Sequence, residues 1–78
     1  MSPKPPTLDL SGVPCPINAA RALLRLEGMD PGAELRVIVD DGEPIANLPA
    51  AVEEQGHHVR SKAKEGASWC VLIQRSAA

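Results

Sequence analysis

Aromatic side chains are almost missing from this 78-residue chain: it has one tryptophan, Trp69, and neither tyrosine nor phenylalanine. Its core must therefore be aliphatic, and it lacks the stacking platforms on which single-stranded nucleic-acid binders seat their bases. Charge of one sign is equally scarce. The net charge is -2, from eight basic and ten acidic residues without long runs, so no broad field draws in a phosphate backbone and direct nucleic-acid binding is disfavoured. No apolar stretch nears the roughly 20 residues that a bilayer span needs, and residues 1–6 lack the hydrophobic segment of a secretory leader. A cytoplasmic protein without a membrane partner is expected. Cysteine is sparse too: Cys15 and Cys70 would form at most one disulfide, too few for a disulfide scaffold. With His57 and His58 they also lack the paired spacings of a zinc site. Neither a metal nor a cofactor is expected.

A chain of this length encloses one hydrophobic core, burying about 60% of its unfolded surface. A large internal substrate cavity is improbable, so chemistry is expected at the surface. Residues 1–6 are proline-rich and read as a loose tail, residues 7–75 as a single domain, and residues 76–78 as a second tail. Thr7-Leu8-Asp9-Leu10 alternates polar and apolar side chains before Ser11-Gly12, which predicts a short strand and a turn. From Pro16 to Glu27 the sequence is rich in alanine and leucine. It predicts a helix with Ala19, Ala20, Leu23, Leu24 and Leu26 as its apolar stripe, stopped at Gly28. Asp30-Pro31-Gly32 predicts a turn, and Leu35, Val37 and Val39 at period two predict a second strand. After the polar loop Asp40-Asp41-Gly42-Glu43-Pro44, Asn47 is the expected N-cap of a shorter helix with Pro49 in its first turn, ending at Gly56. Two strands follow, joined by a hairpin loop at Glu65-Gly66-Ala67. In the first, Val59, Ser61 and Ala63 share one face and His58, Arg60, Lys62 and Lys64 the other. In the second, Trp69, Val71 and Ile73 oppose Cys70, Leu72 and Gln74. The order βαβαββ predicts an α/β (α+β) two-layer sandwich, a four-stranded mixed sheet with two helices on one face.

Cys15 stands between Pro14 and Pro16 at the start of the first helix. A helix N-terminus favours an anion through unpaired N–H groups and a partial positive charge, the setting in which thiols become nucleophiles. Pro16 suits a first helical position, and the two prolines stiffen the loop that presents the sulfur. Position alone leaves two readings open, a reactive thiol or a small apolar plug at the strand-to-helix corner. A self-sufficient enzyme would need a base and an oxyanion site near the thiol, and nothing in the sequence brings His57 or His58 there. That points to a thiol whose chemistry is completed by partner proteins, obeying the ionisation and access rules of disulfide exchange. Cys70 reads better as a strand residue than as a resolving thiol, since nothing brings it within disulfide range of Cys15. The row Arg60, Lys62, Lys64 reads as a solvated edge that guards against aggregation.

At Leu8-Asp9-Leu10-Ser11-Gly12-Val13-Pro14-Cys15-Pro16 the chain resembles the TusA (SirA-like) sulfur carrier family, βαβαββ domains with a Cys-Pro-x-Pro motif at the first helix. The resemblance continues through Met29-Asp30-Pro31-Gly32, Leu35 to Asp41, Asn47-Leu48-Pro49, Gly56-His57 and Trp69 to Ile73, nearly the whole chain. It implies that Cys15 accepts sulfane sulfur as a persulfide, with Pro14 and Pro16 supporting it. A cysteine desulfurase or rhodanese-type protein would be the donor, and a downstream acceptor protein would take the sulfur on, in tRNA 2-thiouridine synthesis or another sulfur-trafficking pathway. Asp40 and Asp41 match the family's acidic loop and are candidates for docking the donor's basic patch. The chain departs from the motif at Asn18, where the family has its second proline, and this bears on partner choice. The alternative reading is an interaction or regulatory module of the same fold that has lost sulfur transfer.

Overall fold

The computed structural model describes residues 4–77. They form β1 (Thr7–Asp9), α1 (Ile17–Glu27), β2 (Glu34–Asp40), α2 (Glu43–Glu54), β3 (His58–Glu65) and β4 (Ser68–Gln74). The sheet order is β1-β2-β4-β3, with β1 parallel to β2 and the other pairs antiparallel. Both helices cover one face, giving the expected two-layer α+β sandwich. Pairing begins upstream of the first strand, where the Pro6 carbonyl accepts the Arg36 N–H at 2.9 Å.

The core is aliphatic. Leu35, Val37 and Val39 of β2 and Val71 and Ile73 of β4 meet Ala22 and Leu26 of α1 and Leu48 and Val52 of α2, all without solvent exposure. The two middle strands thus contribute alternate residues to one face, as period-two patterning requires. Ile38, Cys70 and Leu72 are on the helix-free face, where Ile38 pairs with Cys70.

Three local expectations are corrected. The buried stripe of α1 is Asn18, Ala22 and Leu26, with Ala19 and Leu23 half-buried beside it, whereas Ala20 is exposed and Leu24 is 71% exposed. Composition alone favoured Leu24; the spacing i, i+4, i+8 chose a row that includes asparagine. The second helix starts at Glu43, not after Asn47. Gly42 precedes it at φ 96°, a backbone conformation open to glycine, and Pro44 falls in the first turn. Pro49 is interior to that helix and cannot donate to the Ile45 carbonyl, and it is buried, as Leu48 and Val52 are. Core packing here outweighs one missing backbone bond. In β3 the register shifts between Val59 and Ser61. Val59 therefore pairs with Ile73 of the core face, while Ser61 and Ala63 pair with Leu72 and Cys70 of the helix-free face. A bulge exchanges the two faces of a strand, so Lys62 and Lys64 stand on the side of Val71 and Trp69.

Candidate functional site

Cys15 sits where β1 hands over to α1, and the loop between them is tied down at each step. Leu10 N–H donates to the Ile38 carbonyl at 2.8 Å, closing the parallel ladder, and Val13 N–H turns back to the Leu10 carbonyl at 3.1 Å. Asp9 Oδ1 accepts the Ser11 N–H at 2.9 Å, and Asp40 Oδ2 accepts the Gly12 N–H at 2.7 Å. The hydrogen bonds from Ser11 hold the Asp9 carboxyl below its ordinary value. The Cys15–Pro16 peptide bond is cis and Pro16 is the N-cap. Pro14 and Pro16 are exposed on either side of a half-buried Cys15.

No acidic residue occupies the first turn of α1, so the positive end of the helix dipole is not neutralised from within that turn. Several first-turn amides already have acceptors. Asn18 N–H bonds the Pro14 carbonyl and Ala20 N–H the Pro16 carbonyl, each at 3.1 Å, and Asn18 Oδ1 takes the Ala19 N–H at 2.6 Å. Beside the thiol runs a largely apolar groove of about 290 Å³ between the helices, with Cys15, Asn18 and Ala19 on one wall and Asn47, Leu48 and Ala51 on the other. Ile17, 47% exposed, adds an apolar rim at the same end.

The two imidazoles are elsewhere. His57 lines a separate hollow of about 310 Å³ with Leu23 and Glu27, at the far end of α1 from Cys15, a helix about 16 Å long at 1.5 Å per residue. Its Nδ1 accepts the Ser76 N–H at 3.0 Å, and burial, then the Arg75 charge, hold it below its ordinary value. His58 opens β3 opposite Gln74. Arg75 Nε donates to the Leu26 carbonyl at 2.8 Å, placing a cation at the C-terminus of α1.

Asp40 and Asp41 have structural partners. Asp40 anchors the Cys15 loop through Gly12. Asp41 accepts the Trp69 indole N–H at 2.9 Å and lies 3.3 Å from Lys64 Nζ, which is itself 5.8 Å from the centre of the Trp69 ring. The indole bond, then the Lys64 ammonium, keep the Asp41 carboxyl below the usual carboxylate range. Cys70 is buried on the helix-free face beside Arg36, whereas Cys15 opens onto the groove between the helices. Sequence reasoning missed Asn47 and Asp40 as parts of the Cys15 surroundings, and it named Asn18 as a departure from the Cys15 motif without its burial. The available signal was the spacing of Asn18 with Ala22 and Leu26, which puts a polar side chain in line with the core.

A βαβαββ domain presenting one half-buried thiol between prolines at a helix start defines a class of small thiol-bearing proteins. The chain belongs to the TusA family: the family model described as "Sulfurtransferase TusA" matches residues 6–75. It is similar to "Putative sulfur carrier protein" of Archaeoglobus fulgidus, 39% identical over 69 residues that cover 87% of this chain and 78% of the relative. It also resembles "Sulfur carrier protein TusA" of Allochromatium vinosum, 32% identical over 69 residues covering 88% and 91%. The crystal structure of a SirA-like protein from Desulfitobacterium hafniense superposes with a TM-score of 0.78 at 27% identity, covering 91% of this chain and 97% of that one.

Proposed function

We propose that the chain, through its domain of residues 7–75, is a persulfide carrier in a sulfur relay, with Cys15 as the acceptor. The observation that carries this reading is a half-buried thiol at the mouth of a groove, with both imidazoles at the other end of the fold. A thiol so placed has access for exchange but no base of its own, which suits a group carrier completed by partners better than a hydrolase. In the transfer step the Cys15 thiolate attacks the outer, sulfane sulfur of a donor persulfide. A bond forms between Cys15 Sγ and that sulfur, the donor's S–S bond breaks, and the donor leaves as a thiolate carrying the electron pair. The terminal sulfur keeps its proton or releases it to solvent, and no external oxidant or reductant is consumed.

The donor in this reading is a cysteine desulfurase or rhodanese-type protein, and the recipient a downstream acceptor protein, in tRNA 2-thiouridine synthesis or another cytoplasmic sulfur-trafficking pathway. Pro14, Pro16 and Ile17 supply an apolar docking rim, and the exposed side of Asp41, with Asp40 behind it, meets a basic patch on the donor. The test is intact mass after incubation with a cysteine desulfurase and cysteine. The wild type gains one sulfur atom and Cys15→Ser gains none. Uptake by Cys15→Ser, or none by the wild type from either donor class, would overturn the reading; partner binding without uptake would favour an interaction module.

A further inference from the structure

Asn18 is fully buried, and its Nδ2 has no hydrogen-bond partner among the described residues. An amide donor left unpaired in the interior is unfavourable, and such groups are rare in native folds. The amide is not reversed. Oδ1 accepts the Ala19 N–H, and exchanging oxygen for nitrogen would set two donors against each other. Nδ2 is therefore the end of the amide turned away from that backbone bond.

The same residue is a wall of the groove onto which Cys15 opens. Cys15, one residue before the N-cap of α1, and Asn18, in the first turn of that helix, line this groove together. Cys15 as a plain thiol does not engage Nδ2. A second sulfur lengthens the side chain by an S–S bond of about 2.05 Å and, once ionised, puts a negative charge at its outer end. A donor facing an anion in apolar surroundings makes a stronger hydrogen bond than a neutral pair, and Ala19, Leu48 and Ala51 supply those surroundings.

We propose that Asn18 Nδ2 donates a hydrogen bond to the terminal sulfur of a Cys15 persulfide, so that Asn18 is a positioning residue specific to the loaded state. This rests on the carrier reading. The donor has no partner among the described residues of the free protein and gains one in the loaded protein, which biases the equilibrium towards retention of cargo. Release needs an attacking thiolate from a partner, which takes the outer sulfur and leaves Nδ2 unpaired again.

The experiment compares the wild type with Asn18→Leu, similar in size but without a donor, and with Asn18→Asp, which keeps the shape and the acceptor for Ala19 N–H. Each protein is loaded with inorganic polysulfide, loading is confirmed by intact mass, and the ultraviolet absorbance of the persulfide is titrated against pH. Loss of the donor raises the persulfide's ionisation midpoint by about one unit, a roughly tenfold effect, in Asn18→Leu and by more in Asn18→Asp. The alkylation rate of unloaded Cys15 in Asn18→Leu stays within about twofold of wild type, because the contact needs the second sulfur. Equal midpoints in all three loaded proteins, or an alkylation rate that shifts in step with the midpoint, would overturn the assignment and leave the carrier reading standing. Failure of the wild type to load from polysulfide or from a desulfurase overturns both.

Discussion

Gly12 and Asp40 are 28 positions apart, yet the bond between them fixes where the thiol loop starts. Gly12 also holds φ 76°, so the loop depends on a backbone shape and on one carboxylate at the end of β2. Removing the acceptor with Asp40→Ala is expected to cost about 1 kcal/mol, the typical net worth of a hydrogen bond, and more if Gly12 N–H is left unpaired. Amide exchange at Gly12 should quicken, and Asp40→Asn, which keeps an acceptor oxygen, should lie between Asp40→Ala and the wild type. Unchanged Gly12 exchange in Asp40→Ala would remove the anchoring role. The flanking prolines were legible as stiffeners of Cys15, but the anchor was not, because nothing in the residue order says which strand end the loop meets.

The elements divide by how locally they are specified. The Asp30-Pro31-Gly32 turn was readable because the Ala33 N–H closes onto the Asp30 carbonyl at 3.0 Å around residues suited to it. The start of α2 was not, because Pro49 reads as a first-turn residue until the core shows it buried beside Leu48. Gly42 carries that helix start at φ 96°, with open space where a Cβ would stand. Gly42→Ala should therefore cost about 1–3 kcal/mol through backbone strain alone, lowering the melting temperature by roughly 4–8 °C per kcal/mol. A variant melting within a degree of wild type would show that the turn is not required. The β3 bulge is the other nonlocal decision: alternation predicted Val59 and Ala63 on one face, and the shift after Val59 separates them.

Across the whole molecule, the three groups whose values are lowered act in one direction on stability between pH 2 and pH 8. His57 is held below its ordinary value of 6.5, and Asp9 and Asp41 below 3.8, so in each case the unfolded chain binds the proton more readily and stability rises with pH. The His57 contribution is complete above pH 6.5 and is lost as pH falls through its lower folded value. The two carboxylates contribute above pH 3.8 and are lost as pH falls through theirs. Asp9 and Asp41 are exposed and His57 is half-buried, so screening keeps the two carboxylate effects small. A urea midpoint followed from pH 8 to pH 2 should be flat above 6.5, decline below it, and decline again below 3.8. A midpoint that rises on acidification would contradict the balance. Among the described residues no helix is long and apolar enough to cross a membrane, and none of the His, Cys, Asp and Glu side chains form a group of three or more placed to hold a metal ion.

By itself the sequence determined the element order, the period-two strands that build the core, and the thiol at the start of the first helix, because turn residues and periodicity act over a few positions. The tertiary structure decided the surroundings of that thiol. It turned Asn18 inward, set Asn47 across a groove from Cys15, sent His57 to the far end of α1, and bonded Asp40 to Gly12. Each of these depends on which surfaces two helices and a sheet present to one another, and local preference along the chain does not encode that.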